Sequence, residues 1–303
     1  MRLILTGGTG FIGTALREIL TQKGHEVVIL TRQASRENQP MIRTRYTYWN
    51  PPYRGAWEKE LDGVEGVINL AGEPIVGKRW TTEQKQKIVE SRVNATRAIV
   101  TAIRNAKRKP LFLLNASAIG YYGPHGNEEL TEESPLGNGF LAEICEKWEV
   151  EATRAEESGP RVIRIRIGIV LEKEGGALLK MLPPFQLGLG GPLGSGNQWM
   201  SWIHRKDLAG LIHFLIEKKE IRGVVNATAP APVTMKEFSE TLGRVLHRPA
   251  IFPVPEFVVK LLLGEASEIL LKGQRVLPKR ALASGYSFQF PKLESALKEI
   301  LEK

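Results

Sequence analysis

Apolar segments alternate with stretches of helical periodicity along most of this 303-residue chain. Arg2–Thr6 has the pattern of a short buried strand, and the apolar residues after the following glycine-rich turn recur at helical spacing up to Gly24. Further strands are predicted at residues 27–30, 42–48, 66–70, 111–115, 161–171 and 223–226. Helices are predicted at residues 82–107, 140–156 and 205–218. Strands that alternate with helices in this order are typical of a parallel sheet covered on both faces.

The order of elements predicts an α/β protein with a Rossmann-type, doubly wound parallel sheet. We expect the sheet domain to comprise residues 1–171 and 203–228. Residues 172–202 are rich in Gly, Leu and Pro, with residues 188–196 at their centre, and are predicted to form loops. Residues 229–303 have the pattern of short helices interrupted by prolines. Residues 172–202 and 229–303 are therefore predicted to build a smaller, mostly helical C-terminal lobe on the substrate side.

Composition and charge restrict the classes of protein to which the chain can belong. The net charge is +9, but Lys and Arg are scattered among 33 acidic residues, so we expect no nucleic-acid partner. The single cysteine, Cys145, excludes an intrachain disulfide and gives no sign of a zinc cage, and we predict no metal site. No apolar run reaches the roughly 18 residues of a membrane span, and nothing before Gly7 resembles a signal peptide. We expect a soluble, cytoplasmic protein without a membrane partner.

The most informative motif is TGGTGFIG at residues 6–13, which follows a predicted strand and opens a predicted helix. At the first turn of a Rossmann fold the backbone must turn tightly, approach a pyrophosphate and let the helix pack on the strand. Only glycine lacks the Cβ that would obstruct these contacts, which explains Gly7, Gly10 and Gly13. The N–H groups at the helix start, at Phe11 and Ile12, then face the phosphates. We predict a bound nicotinamide dinucleotide; the alternative is a glycine-rich turn without a ligand.

The choice of dinucleotide depends on the residues at the end of the second strand. NAD enzymes usually carry an acidic residue there, which holds the ribose 2′-hydroxyl. This chain has Thr31 and Arg32 instead, with Arg36 nearby in sequence. A carboxylate would repel a 2′-phosphate, whereas a guanidinium pairs with it through charge-assisted hydrogen bonds. We therefore predict NADP(H), the alternative being a solvated surface arginine.

Several motifs resemble the extended short-chain dehydrogenase/reductase superfamily, which includes nucleotide-sugar epimerases and dehydratases. They are TGGTGFIG at residues 6–13, NLAG at 69–72, Ser117 before the YG at 122–123, and WIHRKDL at 202–208. The segments LAGEPI at 70–75, RWT at 79–81, SR at 91–92, NASAIGYYG at 115–123, WE at 148–149 and GNQ at 196–198 are similar to the YfcH-type epimerase-family proteins. This resemblance implies NADP(H) binding without naming a substrate. The residues expected to contact the cofactor are Gly7, Gly10, Phe11, Ile12, Gly13, Thr31, Arg32, Asn69, Leu70, Ala71, Gly72, Arg92 and Ser117.

The chain departs from the superfamily at its catalytic pair. Members use a Tyr-x-x-x-Lys pair on a helix, in which the lysine lowers the pKa of the tyrosine so that the phenol can transfer a proton. No tyrosine of this chain has a lysine four residues later, and alignment on Glu149 places Leu141 and Cys145 at these positions. They are expected to line an apolar pocket beside the nicotinamide. Arg92 replaces an asparagine and is expected to contact the cofactor or an acidic substrate, or to form a subunit contact.

Ser117, Tyr121 and Tyr122 are the candidate catalytic residues, because they follow the fifth strand, where open α/β sheets form their ligand crevice. Either tyrosine could instead be a packed aromatic residue with its hydroxyl bonded to the backbone. The resulting hypothesis is an atypical NADP-dependent oxidoreductase acting on a small carbonyl or alcohol substrate. A non-catalytic NADP(H)-binding redox sensor is the alternative, and a homodimer is a possible assembly. A third reading, a nucleoside-diphosphate-sugar epimerase, is disfavoured because Met200 and Ile169 stand where such enzymes often carry Arg and Asn.

Overall fold

The computed structural model describes residues 1–37 and 41–302. Its strands are β1 (Arg2–Thr6), β2 (Glu26–Thr31), β3 (Thr44–Tyr48), β4 (Gly66–Asn69), β5 (Phe112–Ala118), β6 (Glu129–Leu130), β7 (Arg161–Ile167), β8 (Ile169–Glu172), β9 (Trp199–Met200), β10 (Trp202–His204), β11 (Gly223–Ala227), β12 (Val233–Thr234) and β13 (Arg275–Val276). Its α-helices are α1 (Phe11–Gln22), α2 (Thr82–Asn105), α3 (Phe140–Thr153), α4 (Gly176–Gln186), α5 (Arg205–Glu217), α6 (Met235–Val245), α7 (Glu256–Leu263), α8 (Glu268–Leu271), α9 (Lys279–Ala283) and α10 (Leu293–Leu301). Short 3₁₀ helices occupy Ala34–Arg36, Ala56–Leu61, Ile119–Tyr122, Arg154–Ser158 and Gly264–Ser267.

Within the described residues, seven strands form one parallel sheet in the order β11-β7-β5-β4-β1-β2-β3. Because β1 pairs with β2 on one side and with β4 on the other, the strand order reverses beside β1. In an open α/β sheet, that reversal leaves a crevice at the carboxyl ends of the strands. This confirms the predicted Rossmann-type α/β fold class.

Alternating residues of the strands supply two separate cores, one on each face of the sheet. On β1, Leu3 and Leu5 pack with the buried residues of α1 and α5, whereas Ile4 packs with those of α2. Both faces of the sheet are therefore covered, which explains the nearly continuous apolar sequence of its strands. A third core joins apolar side chains of α4, α6 and α10 in the smaller lobe. The predicted boundaries of the two lobes at residues 171, 202 and 228 stay a prediction.

Two differences between the structure and the predicted elements lie between residues 161 and 202. The predicted strand at residues 161–171 is interrupted at Gly168: β7 pairs within the main sheet up to Ile167, whereas β8 pairs with β10 outside it. A Cβ at Gly168 would lie 2.4 Å from the carbonyl oxygen of Ser201, so the backbones approach closely at this point. The prediction that residues 172–202 form only loops is wrong, because α4 lies within them. Its apolar residues at 178, 182 and 185 have helical spacing and are buried, which outweighs the two prolines near its end.

Candidate functional site

The turn between β1 and α1 has a conformation that requires glycine. Gly7 has φ +67°, and a Cβ there would lie 2.7 Å from the carbonyl oxygen of Leu70. A Cβ on Gly13 would lie 2.2 Å from the carbonyl oxygen of Gly7, so α1 packs directly on the turn. A Cβ on Gly10 would meet, among the described atoms, only that same oxygen at 3.2 Å. The turn is therefore closed against its own protein at Gly7 and Gly13 and open to a ligand at Gly10.

The N-terminus of α1 is free to bind an anion. Gly10 is its N-cap residue, and no described side chain caps the helix there. The first turn carries no acidic residue, so the N–H groups of Phe11, Ile12 and Gly13 and the positive end of the helix dipole are uncompensated. The ring of Phe11 lies against the backbone of Gly175, where an added Cβ would come within 2.4 Å of it. The helix start thus offers N–H groups that could hold a pyrophosphate, and the predicted contacts of Gly10, Phe11, Ile12 and Gly13 with the cofactor stay predictions.

Thr31 and Arg32 lie at the carboxyl end of β2, beside the glycine turn. Thr31 is buried, whereas Arg32 is exposed and has no hydrogen-bond or ion-pair partner among residues 1–37 and 41–302. The pKa of Glu73 is lowered, first by a hydrogen bond from Lys78 at 3.0 Å and to a smaller extent by the charge of Arg32. Arg32 therefore faces the loop that follows β4 and leaves its guanidinium available to an anionic ligand.

Asn69 is fully buried and connects the ends of several elements. Its Oδ1 accepts a hydrogen bond from Thr6 at 2.6 Å, and its Nδ2 donates to Thr96 at 2.9 Å and to Asn115 at 2.6 Å. The backbone amides of the next two residues donate to the Thr6 hydroxyl at 3.1 and 3.2 Å. The structure thus places the Asn69 side chain inside the protein, and the backbone of residues 70–72 at the edge where a cofactor would lie.

Arg92, on α2, holds the same loop in place. Its guanidinium donates to the carbonyl oxygens of Glu73 at 3.0 Å and of Ile88 at 3.1 Å. Its guanidinium carbon lies 5.1 Å from the centre of the Trp148 ring and would lie 3.2 Å from a Cβ on Gly72. Burial lowers the pKa of Arg92. Arg92 therefore fixes the loop after β4, on which the predicted cofactor contacts 70–72 lie.

Ser117 belongs to a buried ionic network that the sequence analysis did not predict. Its hydroxyl donates to Oε1 of Glu149 at 2.7 Å. Arg166 binds the same carboxylate through two hydrogen bonds, from Nε at 2.8 Å and from Nη2 at 2.9 Å, and both side chains are about 3% exposed. Burial opposes the charge of Arg166, but Glu149 outweighs that cost and raises its pKa. The available signal was a charged residue inside an apolar strand, since such residues are seldom buried without a partner.

Tyr122 lies in the buried part of this network, whereas Tyr121 lies at its half-buried edge. Tyr122 is fully buried; its hydroxyl donates to Asn226 at 2.7 Å and accepts from Arg166 at 3.0 Å, and burial raises its pKa to about 12. Tyr121 is half-buried, with its ring centre 3.2 Å from the guanidinium carbon of Arg166. Of the three predicted catalytic residues, Tyr121 is the one whose hydroxyl has no hydrogen-bond partner in the described part of the chain.

Tyr121 opens onto a cavity of about 500 Å³ along the flank of α3. Glu146, Val150 and Arg164 line the same cavity, and none of its described lining residues belongs to the glycine turn. Ser117 and Tyr121 are therefore connected through the Glu149–Arg166 ion pair, but Tyr121 faces a different space from the one above the turn.

Leu141 and Cys145, at the positions of the missing catalytic pair, offer no proton near neutral pH. The Cys145 thiol is buried and donates to the carbonyl oxygen of Ala118 at 3.6 Å, and burial raises its pKa to about 11. Leu141 is half-buried and lies against Gly120, where an added Cβ would be 3.0 Å from the Cβ of Leu141. This helix face is apolar, as the sequence suggested, and the standard proton relay of the superfamily is missing.

Two family models match the chain. The NAD dependent epimerase/dehydratase family matches residues 3–227, and a domain of unknown function, DUF1731, matches residues 254–300. The chain is 44% identical over 302 residues to the epimerase family protein YfhF of Bacillus subtilis, covering 99% of this chain and 98% of that protein. It is 42% identical over 304 residues to the chloroplastic SDR39U1 homolog of Arabidopsis thaliana, covering 100% of this chain and 87% of that protein.

A solved structure extends these matches to the cofactor. The crystal structure of the human epimerase family protein SDR39U1 with NADPH has a TM-score of 0.88 and 38% sequence identity, and the match covers 100% of both chains. The predicted resemblance is thereby confirmed, and so is the predicted nicotinamide cofactor at the level of the family. Among the described residues no helix has both the length and the apolar character to cross a membrane. The cytoplasmic location stays a prediction, since one relative is described as chloroplastic, and so does the homodimer.

Proposed function

Since the chain belongs to the NAD dependent epimerase/dehydratase family, we propose that it binds NADP(H) and transfers hydride between this cofactor and a small carbonyl or alcohol substrate. The observation that carries the proposal is the uncapped N-terminus of α1 above a turn that is open at Gly10. Such a helix start is a site for a pyrophosphate. The NADPH bound to the human relative supports the same ligand for this chain.

Arg32 supports NADP(H) over NAD(H). Its exposed guanidinium lies at the end of β2 and has no partner in residues 1–37 and 41–302. A 2′-phosphate on the adenosine ribose would give it a charge-assisted contact, whereas the hydroxyl of NAD(H) would not. The charge of Arg32 contributes to the lowered pKa of Glu73, but the Glu73 carboxylate forms its ion pair with Lys78, at 3.0 Å. The guanidinium is therefore available to the phosphate.

Ser117 is the proposed contact to the reacting oxygen of the substrate. Bound NADP(H) supplies or accepts the hydride. The hydroxyl proton of Ser117 is directed at Glu149, so its oxygen keeps lone pairs that could accept a hydrogen bond from an alcohol substrate. To donate to a carbonyl it must rotate away from Glu149, which costs about 1.5–3 kcal/mol for a hydrogen bond to a charged group. Glu149 keeps both hydrogen bonds to Arg166 in either case.

A non-catalytic NADP(H)-binding sensor is the second candidate function. The observation that favours it is that the hydroxyls of Ser117 and Tyr122 are both committed to the buried network around Arg166. With Leu141 and Cys145 at the positions of the catalytic pair, the cofactor could bind without a proton donor beside it. This arrangement would couple bound NADP(H) to a partner or to a conformational change instead of to turnover.

Epimerisation of a nucleoside-diphosphate sugar has less support. Met200 is 3% exposed and belongs to the core of the smaller lobe, and Ile169 packs against that core. Neither side chain can pair with a diphosphate, because both are apolar.

Calorimetric titration with NADPH and NADH tests the cofactor. We expect NADPH to bind more tightly, and Arg32→Ala to weaken NADPH by about 10- to 100-fold, as expected for the loss of a hydrogen bond to a charged group, without changing NADH. Arg222→Ala, at another exposed arginine, is the matched control. Equal affinities for the two dinucleotides, or an unchanged NADPH affinity in Arg32→Ala, would contradict the 2′-phosphate contact.

NADPH oxidation with a panel of aldehydes, ketones and quinones, and the reverse reaction with alcohols, tests the reaction. Turnover that Ser117→Ala abolishes and Tyr122→Phe leaves in place would support the oxidoreductase and the assignment of Ser117. Tyr121→Phe would then show whether the free hydroxyl contributes. Tight NADPH binding without turnover across the panel would instead support the sensor.

A further inference from the structure

Two histidines and a glutamate meet at the amino end of the sheet, away from the glycine turn. His25 directly precedes β2, and His213 and Glu217 lie one turn apart on α5. The Nε2 atoms of the two histidines are 3.3 Å apart, and Oε1 of Glu217 is 3.6 Å from Nε2 of His25. One ligand atom from each residue lies within 4.8 Å of both others. We call these three side chains the His–His–Glu cluster.

We propose that the His–His–Glu cluster binds a divalent transition-metal ion, with Zn²⁺ as the best fit. Zinc is bound tetrahedrally by imidazole nitrogens at about 2.0–2.1 Å, so two such ligands are about 3.3 Å apart. The separation of the two Nε2 atoms, 3.3 Å, matches this value, and the separation of 3.6 Å to Glu217 needs only a small movement. Two imidazoles and one carboxylate are a common donor set for Zn²⁺. The fourth position is left for water, since Glu217 is exposed.

To bind a metal through Nε2, each imidazole must be neutral and carry its ring proton on Nδ1. Burial, followed by nearby positive charge, lowers the pKa of His25, and burial also lowers that of His213. The charges that face them are the Met1 nitrogen, 3.2 Å from Nδ1 of His25, and Lys23, opposed by Glu65 and Glu217. In the metal-bound form the ring proton of His25 lies on Nδ1, so the Met1 nitrogen beside it must be neutral to accept that hydrogen bond.

The cluster lies away from the glycine turn, so a metal bound there would take no part in hydride transfer. His25 lies in the connection from α1 to β2, whereas the glycine turn lies at the opposite end of β1. Helices α1 and α5 pack side by side on one face of the sheet, and the metal would tie the end of α1 to the last turn of α5. The sequence could not indicate this site, because His25 and His213 are 188 residues apart and no cysteine takes part.

Without a metal, the same geometry would be a hydrogen bond between two neutral imidazoles, one Nε2–H donating to the other Nε2. Titration of the full chain with CoCl₂, after treatment with a chelator, separates the two. Tetrahedral Co²⁺ absorbs in the visible range, and we expect this absorption to saturate at one ion per chain and to disappear when ZnCl₂ displaces the cobalt. Bound ZnCl₂ should also raise the thermal midpoint, because a ligand that binds only the folded state stabilises it.

The variants are His213→Gln and the exposed Glu217→Gln, each expected to weaken Co²⁺ binding by about tenfold or more. Because Glu217 is exposed, Glu217→Gln decides the question if His213→Gln fails to fold. His247→Asn is the matched control: it removes an exposed histidine whose left-handed backbone, φ 53°, asparagine tolerates. No visible absorption in the wild type, or equal Co²⁺ affinity in the wild type and Glu217→Gln, would overturn the proposal.

Discussion

Glu149→Leu removes the carboxylate that compensates the buried charge of Arg166. Breaking a buried ion pair by removing one partner costs about 3–5 kcal/mol, because the remaining charge is left without compensation. Arg166 would keep its hydrogen bond to Tyr122 at 3.0 Å and its stacking on Tyr121, so we expect the lower end of that range, about 3 kcal/mol. For a slope of about 3 kcal/mol per molar urea, the unfolding midpoint would fall by about 1 M.

Urea unfolding of three proteins, the wild type, Glu149→Leu and Glu149→Leu with Arg166→Met, measures this cost. The double variant removes the isolated charge and fills the space with an apolar side chain, so it should be more stable than Glu149→Leu alone by at least about 1 kcal/mol. Glu83→Gln, which breaks the exposed pair between Glu83 and Lys87, is the control and should leave the midpoint unchanged. A double variant that is no more stable than Glu149→Leu would refute the reasoning.

Two further predictions concern the glycine turn and the histidines. Gly13→Ala should abolish NADPH binding in calorimetry, because its Cβ would lie 2.2 Å from the Gly7 carbonyl oxygen. The control Gly126→Ala, with no described atom within 4 Å of the added Cβ, should bind NADPH as the wild type does. Unchanged binding in Gly13→Ala would contradict the role of the turn. Burial lowers the pKa values of His25 and His213 below their ordinary 6.5, so in the presence of a chelator the stability they contribute is present above pH 6.5 and is lost as the pH falls through the lowered values. Urea midpoints between pH 7.5 and 5 should show this fall, and His213→Gln should flatten it; an equal slope in both proteins would rule it out.

The parts of the fold that depend on neighbouring residues could be predicted from the sequence. The glycine turn is one such part, because strand, turn and helix follow one another within a few residues and Gly7 and Gly13 each have a steric reason. The break of the predicted strand at Gly168 could not be predicted, because it has a tertiary cause. The apolar pattern continues through residues 161–171, but after Gly168, which lies close to the backbone of Ser201, the chain pairs with β10 in another sheet. Helix α4 was not predicted, because its two prolines and the surrounding glycines are typical of a loop. Its apolar residues have helical spacing, but only the folded structure shows that they are buried in the core of the smaller lobe.

The buried network at the site could not be predicted, because its members are far apart in sequence. Ser117 and Glu149 are separated by 32 residues, and Tyr122 and Asn226 by 104. Their residue types suggested catalysis for Ser117 and Tyr122, and only the folded chain shows that Arg166 and Glu149 engage both hydroxyls. The position of Arg32 directly after β2 could be predicted, since it is set by the local strand pattern.

The central place of β1 has a consequence for the order in which the chain assembles during synthesis. Strands β1, β2 and β3 are neighbours in the sheet and consecutive in sequence, so this half can pair while the rest of the chain is still being made. The other edge of β1 stays unpaired until β4 emerges and brings Leu70 onto Gly7. For that interval the nascent protein exposes a row of free backbone groups beside the glycine turn, which is the point at which pairing with another nascent chain would compete.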